Sequence, residues 1–142
     1  MTRIFVDSSV LFSAAYSSKG HSNDLIVMAI HEEVTLVISQ VVLTETRRNL
    51  AQSTPEHVVL LDLLEANVPF EIIAVTKHEI LSAAEHVVLK DAPIVAAARK
   101  GKVDLLVTLD QKHLLGKTEI TEYIKAKVVT PKEAMDQLHR ED

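Results

Sequence analysis

Short β-prone runs that alternate with longer helical segments set the tightest limit on how this chain can fold. Arg3–Val6, Thr35–Ser39, residues 71–75, residues 103–108 and Lys127–Val129 read as strands. Several are continuous apolar runs, the pattern of strands covered on both faces. Helix starts lie between them. Thr54-Pro55 offers an N-cap with proline at the first helical position. Thr76 to Glu79 and Thr130 to Glu133 have capping-box spacing, and Asp91 can cap the helix that runs through Ile94, Val95 and Ala98. Further helices are expected over residues 22–30, 40–51 and 118–125, and Asp7 can cap one that starts near Ser8. Alternation of this kind specifies an α/β fold with a central parallel sheet flanked by helices on both faces.

The 142 residues suffice for one compact domain, and with three glycines, four prolines and no repeat there is no visible linker, so residues 1–142 are expected to form a single domain. Cysteine is absent, which removes disulfides, thiolate metal sites and cysteine nucleophiles and suits a reducing cytoplasm. Apolar runs are too short to span a membrane, and Asp7 interrupts any apolar leader; a soluble cytoplasmic protein without membrane association is expected. The formal charge of −5 has the wrong sign for global attraction to a polyanion. Any nucleic-acid chemistry must therefore rest on local basic groups and on cations held by carboxylates.

Such carboxylates fall where a parallel sheet puts its ligands, beyond the carboxyl ends of the strands. Asp7 directly follows the first strand, and Asp110 follows the strand at residues 103–108 by two residues. Asp91 opens the helix before that strand, and Glu45 lies early in the helix after the second strand. Hard divalent cations such as Mg²⁺ and Mn²⁺ prefer carboxylate oxygen, and crowded carboxylates repel one another until a cation neutralises them. Metal held this way can activate water for phosphodiester hydrolysis without a side-chain nucleophile. Each acid also has a purely structural reading: Asp7 and Asp91 as helix caps, Asp110 as a turn residue, Glu45 as part of a solvated helix face. For Asp7 that reading is strained, because an acid wedged between Ile4-Phe5-Val6 and Val10-Leu11-Phe12 is costly unless capped, paired or metal-bound.

The residues around these acids carry a family resemblance. Val6-Asp7-Ser8-Ser9-Val10-Leu11 resembles the opening motif of PIN domains, and Leu43-Thr44-Glu45 matches the second acid of that family. The run from Lys90 through Asp91 to Ala98 resembles the third-acid motif, and Leu106-Val107-Thr108-Leu109-Asp110 the fourth. The four blocks occur in family order and span nearly the whole chain. The resemblance implies a three-layer PIN-like fold and Mg²⁺- or Mn²⁺-dependent endoribonuclease activity on RNA. It assigns metal ligation to Asp7, Asp91 and Asp110, with Glu45 acting directly or through water, and supporting hydrogen bonds to Ser9 and Thr108. Ser9 stands where many relatives have Asn. Small stand-alone relatives are commonly toxins of toxin–antitoxin pairs, which implies an antitoxin partner and a homodimer.

Other signals are weaker. The seven histidines lack paired zinc-ligand spacing, and His31-Glu32 and His78-Glu79 are not followed by the second histidine of a metalloprotease helix. His113, close to Asp110, is the one histidine placed to contact substrate. With glycine only at positions 20, 101 and 116, there is no backbone phosphate cradle. Arg47, Arg48, Arg99, Lys100, Lys102 and Lys112 are the expected basic rim, where phosphate contacts would position a strand. Aromatic residues are 4% of the chain, which favours selection by groove shape or a dimer channel over a stacking platform. Two other classes compete: a PIN-fold RNA-binding or scaffold module without catalysis, and a receiver-like phosphorylation domain. Retention of all four acids argues against the first, and the place of Asp7 after the first strand argues against the second.

Overall fold

The computed structural model describes residues 1–140. In chain order the strands are β1 (Arg3–Val6), β2 (Thr35–Ser39), β3 (Glu71–Ile73), β4 (Leu105–Val107) and β5 (Lys127–Val129). The helices are α1 (Ser8–Tyr16), α2 (His21–Ile30), α3 (Gln40–Ser53), α4 (Val58–Asn67), α5 (Lys77–Ala83), α6 (Ala92–Lys100), α7 (Thr118–Ile124) and α8 (Pro131–Arg140). All five strands are parallel, in the order β3-β2-β1-β4-β5. From β1 the chain steps outward to β2 and β3, then returns across the sheet to β4 and β5. With right-handed crossovers, that reversal puts the first helices on one face and the later ones on the other. Accordingly α1 packs with α2, α3 and α4, while α5 and α7 pack on α6 across the sheet, and α8 returns to α2.

The three inner strands are apolar because they are covered on both sides. Ile4, Phe5, Leu36, Ile38, Leu105 and Leu106 have almost no solvent exposure. α6 is buried nearly all round through Val95, Ala96, Ala97 and Ala98, whose small side chains let the helix lie close to the sheet. Gly101, just past its end, is part of that approach. A Cβ there would lie 3.2 Å from both the Ala97 carbonyl oxygen and Val37 Cγ1. The Arg3 guanidinium donates to the Gly101 carbonyl at 3.1 and 2.7 Å and also pairs with Glu71, so this edge is tied across three elements.

Two expected strands are shorter than their β-prone runs. β3 stops at Ile73 because its partner β2 turns into α3 after Ser39, which leaves residues 74–75 nothing to pair with. β4 is confined to Leu105–Val107, although Asp104 and Thr108 still donate backbone hydrogen bonds to Arg3 and Val129 at its margins. The capping boxes at Thr76–Glu79 and Thr130–Glu133 both form, with each side chain bonded to the other residue's backbone N–H. Two expected caps do not. After Thr54 the chain makes a 3₁₀ turn over Pro55–His57, and the Thr54 hydroxyl is buried without a hydrogen-bond partner. Asp91 likewise ends a 3₁₀ turn over Leu89–Asp91, in a conformation that keeps its side chain off the helix N–H groups. Among the described residues, no helix is long and apolar enough to cross a membrane.

Leu106 has no solvent exposure and lies in β4 beside β1. Leu106→Ala is expected to lower unfolding free energy by about 2–5 kcal/mol, measured by urea denaturation, with the folded far-UV spectrum retained.

Candidate active site

The strand order reverses between β1 and β4, and the crevice of an open parallel sheet lies at that point, beyond the strands' carboxyl ends. Asp7 leaves β1 into it and Asp110 follows β4 into it. The backbone joins the two strand exits, since Asp7 N–H donates to the Val107 carbonyl at 3.3 Å. A cleft of about 800 Å³ opens there, and Asp7, Glu45, Asp91 and Asp110 all line it.

Asp7 is 3% exposed. Its Oδ1 accepts from the Val10 N–H at 3.2 Å, which caps α1, and from the Ser9 hydroxyl at 2.6 Å. Its Oδ2 accepts from the Thr108 hydroxyl. The structural reading of Asp7 as a cap is therefore realised, and the same carboxylate faces the cleft. Ser9 and Thr108 each bind twice: Ser9 Oγ accepts from the Leu109 N–H at 3.1 Å, and Thr108 Oγ1 from the Asp110 N–H at 2.9 Å. Two hydroxyls thus tie the acid after β1 to the backbone after β4. Burial raises the pKa of Asp7 above the ordinary carboxylate value, against the lowering effect of these hydrogen bonds.

Asp91 is also buried, with 4% exposure, yet its Oδ2 has no hydrogen-bond partner. Burial is the main cause of its raised pKa, and the negative charge of Asp110 adds to it. Asp110 goes the other way. Burial pushes it up, but the N–H and ring of His113 and the N–H of Lys112 outweigh that, and its pKa lies below the ordinary value. The contacts are 3.0 Å from the His113 N–H, 3.1 Å from the Lys112 N–H and 3.3 Å from His113 Nδ1. His113 Nδ1 also lies 3.9 Å from Asp91 Oδ2. One potential ligand atom from each of Asp91, Asp110 and His113 falls within 4.8 Å of the others. Glu45 is half-buried on α3, a helix capped by Ser39, and accepts from the Ser8 hydroxyl at 2.5 Å.

This donor set fits a hard divalent cation. It is dominated by carboxylate oxygen, one of those oxygens is buried and unpartnered, and His113 is the one basic side chain paired with Asp91 or Asp110 among the described residues. Sequence reasoning did not mark Ser8, Asn49, Gln52 or Phe12, which also line the cleft. A helical signal was present for two of them: Asn49 and Gln52 follow Glu45 by four and seven residues, so all three share one face of α3.

Most of the expected basic rim lies elsewhere. Arg47 pairs with Asp62 and Glu65 of α4, each at 2.7 Å, and lines a separate groove with Arg48. Arg99 stacks over Tyr123 at 4.3 Å, and Lys100 binds Glu79 and the Ala74 carbonyl. Asp91 precedes the nine-residue α6 and these two residues end it, roughly 13 Å away along the axis. Lys102 lines the same groove as Arg99 and Lys100. Of the six expected side chains, Lys112 alone lines the cleft, where it is joined by Lys90.

The PIN domain family profile matches residues 3–112. No curated protein sequence matches the chain. Among solved structures, PAE2754 from Pyrobaculum aerophilum is similar over 98% of this chain and 96% of its own, with TM-score 0.65 and 18% identity. A chain of VapBC2 from Rickettsia felis, solved bound to a DNA fragment from its promoter, is similar over 91% of this chain and 98% of its own, with TM-score 0.64 and 17% identity. VapC20 from Mycobacterium tuberculosis, described as a sarcin–ricin loop cleaving toxin, has TM-score 0.60 and 19% identity over 77% of this chain and 91% of its own. At such identities these likenesses speak for the fold. The profile match covers more than half of the chain and runs from β1 past Asp110, so the strands that build the crevice and the acids that line it fall within one known domain: the chain belongs to the PIN domain family.

Proposed function

We propose that this protein is a divalent-metal-dependent endoribonuclease and the toxin component of a toxin–antitoxin pair. The observation that carries the reading is the unpartnered, buried Oδ2 of Asp91, set beside Asp110 and His113 in a cleft shared with Asp7 and Glu45. A buried acid left without a partner is costly unless a ligand completes it. Asp7, Asp91 and Asp110 would hold Mg²⁺ or Mn²⁺, with Glu45 contributing directly or through water. Once bound, the metal supplies activation of water and stabilisation of charge on the phosphodiester oxygens. The chain's own groups do the positioning. Ser9 and Thr108 fix the Asp7 carboxylate, Ser8 orients Glu45, and His113 holds Asp110 ionised. Lys90 and Lys112 at the cleft are available to phosphates of the strand.

RNA as substrate is supported by family membership and by the structural likeness to a toxin that cleaves the sarcin–ricin loop. An antitoxin partner is supported by the likeness to VapBC2. This reading places the protein in the cytoplasm, where such an RNA lies. Homodimerisation belongs to it as well, with the exposed Val59, Leu60 and Leu63 of α4 or Val27 and Ile30 of α2 as the surfaces to test. The four acids that line one cleft argue against a non-catalytic binding module.

Two measurements test the site. With purified protein and single-stranded RNA, EDTA should abolish cleavage and Mg²⁺ or Mn²⁺ restore it. Asp7→Asn, Asp91→Asn and Asp110→Asn should each lower the rate by about a thousandfold or more, and Glu45→Gln by less. Full activity in Asp7→Asn or Asp91→Asn would rule the mechanism out.

The second concerns stability. Because burial raises the Asp91 pKa, the folded chain binds this proton more tightly than the unfolded chain does. The stability it contributes is present below the ordinary carboxylate pKa and is lost as pH rises through the raised value. In EDTA, Asp91→Asn should therefore gain on the wild type between pH 4 and pH 7 in thermal denaturation. At pH 7, Mn²⁺ should raise the wild-type Tm and have much less effect on the variant.

A further inference from the structure

The cleft has two chemically different ends. Lys90 and Lys112 adjoin Asp91 and Asp110, so cations flank that side. Beyond Asp7 and Glu45 the walls are uncharged: Asn49, Gln52 and Ser53 from α3, and Phe12 from α1. The helix periodicity puts Gln52 roughly 10 Å along α3 from Glu45. Of the two cations on that helix, Arg47 is engaged by Asp62 and Glu65, and Arg48 lines the separate groove with it. The Asn49 and Gln52 side chains are exposed, and their amides make no hydrogen bond among the described residues.

Phe12 is held from behind. Its ring lies 6.0 Å from that of Tyr16 with the planes 10° apart, and Tyr16 stacks at 5.1 Å on His57. Tyr16 is one helical turn after Phe12, so the backbone of α1 sets their spacing. A half-buried ring fixed by this ladder forms one wall, and two free amides, each offering a donor and an acceptor, come from the facing helix. No Lys or Arg side chain lines the cleft at this end to receive a phosphate. An unpaired base finds an aromatic surface to stack on and amides that match its hydrogen-bonding edges.

We propose that Phe12, Asn49 and Gln52 form a nucleobase subsite, which takes one unpaired base of the substrate strand next to the acids and selects it. The inference rests on the nuclease reading and adds to it that the substrate must present an unstacked base at a fixed distance from the cut. The aromatic scarcity of the chain does not oppose this, because one ring placed in the cleft serves one base.

The test uses a short single-stranded RNA that the wild type cuts at one position, with each flanking nucleotide replaced in turn by an abasic one. One replacement should lower kcat/KM about 5- to 150-fold in the wild type, the range of a lost stacking contact. In Phe12→Leu that penalty should largely vanish. Asn49→Ala and Gln52→Ala, on exposed positions that leave the core untouched, should change which base is preferred there while the metal response stays as in the wild type. Binding gives an independent readout: 2-aminopurine at that position should be quenched on binding Asp110→Asn and not on binding Phe12→Leu/Asp110→Asn. Equal abasic penalties in the wild type and Phe12→Leu, with base preference unchanged in both amide variants, would overturn the subsite and leave the nuclease reading standing. If the wild type cuts no RNA with Mn²⁺, the nuclease reading falls, and unquenched 2-aminopurine then removes the subsite as well.

Discussion

The Asp7 carboxylate is the interaction on which the rest of this site depends. It lies at the exit of β1, nearly without exposure, and its partners come from three directions: the N–H of Val10 in α1, the hydroxyl of Ser9 and the hydroxyl of Thr108 after β4. The Thr108 partner is 101 residues away in sequence. One charged group therefore fixes where α1 begins, how the chain leaves β4, and where Asp110 faces the cleft. A neutral residue could cap α1 equally well. It could not hold a charge at the switch point of the sheet, where a parallel α/β fold binds its ligands. The raised pKa of Asp7 marks the cost of that arrangement, a cost that the proposed cation would offset.

Much of what was legible in the sequence was local, although the gathering of the four acids beyond the strand ends was legible too. Continuous apolar runs disclosed the buried strands, the capping boxes at Thr76 and Thr130 disclosed two helix starts, and Asp7 stood out between apolar triplets. The caps assigned to Thr54 and Asp91 failed because residue type alone does not distinguish an α-helical first turn from a 3₁₀ turn, and that choice decides where the side chain points. The basic rim failed for a geometric reason. Arg99 and Lys100 follow Asp91 closely in sequence, but α6 carries them to its opposite end, where they pair with Tyr123 and Glu79. Arg47 is adjacent to the site in sequence and is held by α4 in space.

Some contacts between distant segments were not legible. Ser8 reaches Glu45 across 37 residues, and the ladder from Phe12 through Tyr16 ends on His57. Composition recorded only that aromatic residues were few. It carried no information about their location, and here location decides the chemistry, because a single ring beside the acids is worth more to a substrate than several in the core.

The acids are tuned in opposite directions, and that division has a consequence for how the site fills. Asp7 is satisfied by the protein on both oxygens, whereas Asp91 keeps one buried oxygen that the protein does not satisfy. Burial discourages ionisation of both, while His113 and the backbone around Lys112 keep Asp110 charged. Of these three acids Asp110 ionises most readily, and it is the most accessible. A cation held by these acids, as proposed above, would offset the burial and the charge of Asp110 that disfavour ionised Asp91. Asp7 is already oriented by Ser9 and Thr108 for such a role. In the proposed metal site the hydroxyls and His113 would matter as the carboxylates do, since they orient Asp7 and lower the pKa of Asp110.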